Sequence, residues 1–169
     1  MGPMQNLRDE HGQMMKMFSA LQQRLPELAH ADQDLFTAVD SILAFFEINI
    51  DGCHHGKEED ILFPALAEIN AGDVDRLIAD LRADHSAGRR LLGEIKTDYY
   101  ALRMLGGPAV ANFANSAMRY INHFRKHIRI ENARLLPLLQ SRLSTEVQAR
   151  MDAQFDAYQQ KILGSQTSA

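Results

Sequence analysis

The 169-residue sequence predicts an all-α protein: an up-down-up-down antiparallel four-helix bundle with one additional C-terminal helix. Three observations carry that expectation. Apolar residues recur at steps of three and four, which on a 3.6-residue helix draws one stripe down one face. The connections between these periodic segments are short, so consecutive helices are expected to run antiparallel. No stretch shows the strict alternation of a half-buried strand.

The first stripe reads Leu7, His11, Met14, Phe18, Leu21, Leu25, Leu28. The second reads Val39, Leu43, Phe46, Ile50, His54, Glu58, Ile61, Ala65, Ile69, with Asp32 or Asp34 placed to cap its start. The third runs Val74, Ile78, Leu81, His85, Gly88, Leu92, Ile95, Tyr99, Leu102, with Asp73 as its expected N-cap and Gly72 closing the helix before it. A Gly106–Gly107 break follows, Pro108 suits a first turn, and the fourth stripe reads Val110, Phe113, Ala117, Tyr120, Phe124, His127, Glu131, Leu135, Leu138. A fifth segment, about 144–163, carries Val147, Met151, Phe155, Tyr158 and Ile162 and is expected to pack across the outside or end of the bundle. The final six residues are expected to fray. One domain accounts for residues 1–169, with the bundle at about 5–140.

Composition narrows the chemistry. A single Cys forms no intrachain disulfide and builds no cysteine-based zinc or iron–sulfur site. A net charge of −4 gives no basic footprint for nucleic acid. No stretch reaches the roughly 18–20 apolar residues of a membrane span, and the N-terminus lacks a signal-peptide core. A cytoplasmic monomer or homodimer, without nucleic-acid or membrane partners, is the expected setting.

Six positions interrupt the apolar seams with polar residues: His11, His54, Glu58, His85, His127 and Glu131. Each predicted bundle helix supplies one histidine. Two helices add a glutamate four residues later, about 6 Å along the axis and on nearly the same face. An internal repeat ties these positions together. LRDEH at 7–11 returns as LRADH at 81–85, and HHGKEEDILFP at 54–64 returns as HIRIENARLLP at 127–137, with offsets of 74 and 73. Two helical hairpins packed about an approximate twofold axis would then converge four imidazoles and two carboxylates at one level. Burying two carboxylates without compensation costs several kcal/mol each, on the order of a small domain's whole stability. Metal ions supply that compensation, because neutral imidazoles and ionised carboxylates are the forms metals bind. Six ligands exceed a tetrahedral zinc site and suit two ions, each taking two His and sharing two bridging Glu, with positions left open for a small ligand.

The series H-HxxxE-H-HxxxE, with HHGKEEDILFPAL at 54–66, DHSAGRRLL at 84–92 and H-x-x-x-E-x-x-x-x-x-P at 127–137, resembles the hemerythrin-like (HHE cation-binding) family of non-heme di-iron bundles over Leu7 to about Leu139. The resemblance implies a centre of two irons, with zinc or manganese as other cations it would accept. His11, His54, His85 and His127 would be ligands, and Glu58 and Glu131 the bridges. Two departures set the chain apart from oxygen carriers: Arg89 stands where a second third-helix histidine is expected, and Asn132 where an aspartate is expected. The set is more similar to members associated with nitric oxide or peroxide chemistry, oxygen or iron sensing, and iron–sulfur repair, which implies a centre that binds or reduces oxygen, nitric oxide or hydrogen peroxide, or one that senses oxygen or iron without turnover. His123, one turn before His127, is either a further ligand replacing the missing histidine or a neighbour of the site. His55 and Glu59 form an HxxxE pair one residue out of register, set aside because Ile128 and Asn132 occupy the matching places. Glu47 and Tyr120 lie on the same stripes as candidates to hydrogen-bond the ligands.

Overall fold

The computed structural model describes residues 2–68 and 72–166, and these contain helices and no strand. Helix α1 spans Pro3–Arg24, with Pro3 in a first turn where its missing N–H costs nothing. The stripe was expected to stay α-helical to Leu28. Instead Leu25–His30 is a tighter 3-10 segment, because Pro26 cannot donate to the carbonyl one turn back. Leu28 is buried all the same. Asp32 is the N-cap of α2, its side chain accepting from the Leu35 N–H at 2.9 Å.

Helix α2 opens as Gln33–Phe45, widens to π-helical turns over Phe46–His55 and again over Glu58–Leu62, and closes as Phe63–Ala67. The widening explains an oddity of the stripe. Positions 46, 50, 54 and 58 are spaced by four throughout, and on an ideal α-helix each such step turns the stripe by about 40°. A wider turn keeps Phe46, Ile50, His54 and Glu58 on one face, all of them buried. Prolines repeat the device. Pro64 and Pro137 each stand just after a π-helical stretch, Glu58–Leu62 and Glu131–Leu135, where a residue without an N–H loosens the ladder. The predicted end of α2, Ile69, lies outside the described residues.

Helix α3 spans Gly72–Leu105. Asp73 was expected to be its N-cap; it lies inside the first turn, and Gly72 begins this helix rather than closing the one before. Gly106 stops α3 at a φ of +66°, a left-handed conformation that suits glycine, and Gly107–Ala109 forms a 3-10 turn. Helix α4 runs Val110–Ile130, widens over Glu131–Leu135 and ends as Leu136–Arg142. Helix α5, Thr145–Gln166, starts where the Ser144 hydroxyl accepts from the Val147 N–H and extends beyond the predicted end, taking in the first part of the tail expected to fray.

Two apolar clusters fill the bundle. One gathers Phe18, Phe46, Ile95, Phe113, Tyr120 and Phe124 with their neighbours; the other gathers Leu7, Leu62, Phe63, Leu81, Leu135 and Leu139. Met151 and Phe155 of α5 join the second cluster, which fixes that helix against the outside of the bundle. Between the clusters lies one polar layer, sealed by apolar side chains above and below. No described helix is long and apolar enough to cross a membrane.

Candidate metal centre

The polar layer is built from the six seam residues. His11, His54, Glu58, His85, His127 and Glu131 are each at most 3 % exposed, and the structure brings all six together. The imidazoles form two pairs, each pair joining Nε2 to Nε2: His11 with His54 at 3.3 Å, and His85 with His127 at 3.1 Å. Glu131 spans the pairs. Its Oε2 lies 3.1 Å from His11 Nε2, and its Oε1 lies 2.8 Å from His127 Nε2. Glu58 Oε2 lies 3.3 Å from His85 Nε2 and 3.8 Å from His54 Nε2. None of the four oxygens of Glu58 and Glu131 has a partner in hydrogen-bond geometry among the described residues. Buried carboxylates left this way are costly unless something else supplies positive charge.

The other nitrogen of each imidazole is held from outside. His54 Nδ1 meets Glu10 at 2.8 Å, His85 Nδ1 meets Glu59 at 2.7 Å, His11 Nδ1 meets Asn132 Oδ1 at 3.0 Å, and His127 Nδ1 meets Asp84 at 3.4 Å. An oxygen acceptor at Nδ1 places the proton there and leaves the Nε2 lone pair facing the centre. All four imidazoles are thereby presented in the tautomer a cation requires. Further out, Arg89 bridges Glu59 at 2.9 Å and Asp51 at 2.7 Å. Lys57 is wholly buried. Its Nζ donates to Glu10, to Asn6 at 3.0 Å and to Gln159 of α5 at 2.7 Å.

The protonation of the layer shows the same demand for positive charge. Burial opposes a charge on His54, yet Glu58, Glu10 and Glu131 outweigh it and lift its pKa to about 10. Burial likewise opposes charge on His85, and Glu131, Glu58 and Glu59 raise it to about 11. Burial works against ionised Glu131, but the neighbouring His127, His11 and His54 pull its pKa well below the usual range. The hydrogen bond from His85, with help from Arg89, brings Glu59 down to about 2. Without another source of positive charge, the carboxylates of the layer thus favour protons on His54 and His85.

The remaining sequence candidates fall elsewhere. His123 does not join the six, because its Nε2 donates to the Asp84 backbone carbonyl at 2.8 Å. Glu47 is exposed and pairs with Lys96 at 2.9 Å, away from the layer. Tyr120 is buried in the aromatic cluster, stacked on Phe46 with ring centroids 4.8 Å apart. Four residues that hold the imidazoles escaped the sequence reading as functional: Glu10, Glu59, Asp84 and Asn132. The repeat carried the signal, since Glu10 and Asp84 occupy matching places in LRDEH and LRADH, and Glu59 matches Asn132. His55 was set aside, but the wide turn of α2 buries it beside His85, ring centroids 3.9 Å apart.

Fold and layer together define a bundle whose core is built to hold cations. A comparison with protein families matches residues 2–139 to the hemerythrin HHE cation-binding domain, and the chain belongs to that family. Compared with curated proteins, it finds no significant match.

Proposed function

We propose that this protein is a non-heme di-iron protein that binds or reduces a small oxidant, namely oxygen, nitric oxide or hydrogen peroxide. One observation supports it above the others: two buried carboxylates without hydrogen-bond partners stand between two Nε2–Nε2 imidazole pairs. His11 and His54 would hold one ion, His85 and His127 the other, and Glu58 and Glu131 would bridge them. Four protein ligands per ion leave coordination positions free. Bound iron supplies redox chemistry and an open place for a small ligand. The chain's own contribution is to fix the imidazole tautomers through Glu10, Glu59, Asp84 and Asn132 and to keep water out between the two apolar clusters. Arg89 and Asn132, which replace residues expected in oxygen carriers, each act on an imidazole from outside, Arg89 through Glu59. With arginine in place of a histidine at position 89, one ion would have a more open coordination, which favours reaction over reversible carriage. A lone buried thiol and nitrogen–carboxylate ligation also suit a reducing cytoplasm.

Metal analysis and anaerobic optical titration test the reading. About two irons per chain, with an absorption spectrum that responds to oxygen, nitric oxide or hydrogen peroxide, are expected. Failure to take up iron, or an inert spectrum, would sink it. One observation favours a second reading, a cation sensor without turnover. Lys57 ties Glu10, the partner of His54, to Gln159 on the outermost helix, so occupancy of the layer is mechanically linked to the surface. That reading expects zinc and iron to raise the melting temperature equally, with no turnover.

A further inference from the structure

His55 lies 1 % exposed beside the layer, and its Nε2 makes no hydrogen bond among the described residues. Its Nδ1 faces Asp51 Oδ1 at 3.4 Å, and Arg89 holds that same oxygen at 2.7 Å. A carboxylate only accepts, so the proton of neutral His55 belongs on Nδ1 and Nε2 keeps its lone pair. A ring nitrogen of His55 lies within 4.8 Å of ring nitrogens of both His85 and His127.

Two fates are open to a buried lone pair in that place: a metal ion or a hydrogen-bond donor. The ring geometry decides between them. An imidazole binds an ion in the plane of its own ring. His55 and His85 are stacked with planes only 16° apart, so an ion in the plane of His85 lies off the plane of His55. His55 is therefore not a further ligand to that ion. No protein donor among the described residues reaches its Nε2, which leaves a small molecule that carries a proton: water in the resting site and, of the three oxidants, hydrogen peroxide. The second hairpin has no counterpart, since Ile128 occupies the matching place.

We propose that His55 is the hydrogen-bond acceptor for the small molecule taken at the His85–His127 side, and that this molecule is hydrogen peroxide. Oxygen and nitric oxide carry no proton to offer Nε2; peroxide does. The inference rests on the paired-metal reading above and narrows its three oxidants to one.

Zinc-loaded protein with isotope-labelled imidazole nitrogens gives a direct test, because zinc fills the layer without redox chemistry. His55 is expected to carry its proton on Nδ1, with Nε2 bare and free of metal. The Nε2 resonance should move when hydrogen peroxide is added and stay when azide is added. Iron-loaded His55→Phe should keep wild-type metal content and azide affinity while losing about tenfold in peroxide affinity, the worth of one hydrogen bond. His55→Gln, whose amide oxygen still accepts, should recover part of that loss. A protonated or metal-bound Nε2, or a His55→Phe protein that takes peroxide as the wild type does, overturns the proposal alone. Failure of the wild type to take up either metal overturns the paired-metal reading and the proposal with it.

Discussion

Each hairpin of the bundle places three of the six ligand-type residues, at matching positions of the repeat, yet the two surround them differently. In the first, His54 rests on Glu10 at 2.8 Å and Glu10 rests on buried Lys57; in the second, His127 rests on Asp84 at 3.4 Å and Ile130 stands where Lys57 would be. Across the hairpins, His85 leans on charged Glu59 while His11 leans on neutral Asn132. The inner layer is thus close to twofold symmetric and the outer ring is not. The His11–His54 pair has one carboxylate, one amide and a buried lysine around it. The His85–His127 pair has two carboxylates and a half-exposed arginine. Geometry comes from the repeated part and unequal chemistry from the unrepeated part, because charge outside a ligand tunes what the ligand donates.

The two carboxylates of the layer give the largest expected effect. Glu131 offers one oxygen to each imidazole pair, whereas Glu58 approaches both pairs with the same oxygen. Glu131→Gln should therefore cost more metal affinity than Glu58→Gln, by more than the roughly 100-fold ceiling seen for residues that only orient ligands. Metal content after dialysis against a weak chelator measures it. Equal losses would mean that the two carboxylates are interchangeable.

Acidity probes the two halves together, since each holds one imidazole with a raised pKa. For His54 and His85 the folded values, about 10 and about 11, exceed the ordinary 6.5. Their stabilising contribution is fully present below about pH 6.5, erodes as pH rises, and is gone above the folded values. Glu10, Glu59 and Glu131 have lowered values, so theirs is present above the ordinary 4.5 and is lost as pH falls through the folded values. Metal-free protein should accordingly melt at progressively lower temperature from pH 6.5 to pH 9. In metal-loaded protein the imidazoles are held neutral by the metal, and this decline should be absent. A gap between the two melting temperatures that stays constant over that range would show that protons do not stand in for cations in the layer.

Lys57 tests the outer ring of the first half. Removing one member of a buried ion pair costs roughly 3 kcal/mol, so Lys57→Met should lower stability by about that much. Arg89 is 40 % exposed, and Arg89→Met should cost no more than about 1 kcal/mol. Urea unfolding of the two variants decides. Comparable losses would place the asymmetry elsewhere.

The inner layer was legible in the sequence because seam positions occupied by His and Glu are conspicuous against a run of Leu, Ile and Phe, and because the repeat showed them twice. The outer ring was harder to see. Glu10, Asp84, Glu59 and Asn132 each adjoin a ligand-type residue, and a charged residue beside a buried one reads as ordinary solvated surface. Lys57 and His55 were hidden for another reason. His55 lies in the first widened stretch of α2 and Lys57 between the two, so a 3.6-residue wheel rotates them away from the core that encloses them. The uninterrupted four-residue spacing from Phe46 to Glu58 was the available sign of that widening. Helix ends misled where proline or glycine changed the turn, as at Leu25 and Gly72.

Asn132 offers the subtlest intervention, because it is the one amide among four oxygen partners. Asn132→Asp would give His11 the carboxylate that the other three imidazoles have and would add one negative charge beside the first ion. Metal affinity on that side should rise by about tenfold, the lower end of what outer partners contribute. Glu59→Gln makes the opposite change beside His85 and should lower affinity on the second side by a similar factor, while leaving Arg89 its ion pair with Asp51. In a mixed-valence iron protein the pair with the less negative surroundings is expected to hold the reduced ion, which on the proposed di-iron reading would be the His11–His54 pair in the wild type. Asn132→Asp should blur that preference and Glu59→Gln should reverse it, as read by Mössbauer spectra of the half-reduced protein. If both variants leave the distribution of the reduced ion unchanged, the outer ring orients the imidazoles without setting their chemistry, and the inequality of the two hairpins is structural alone.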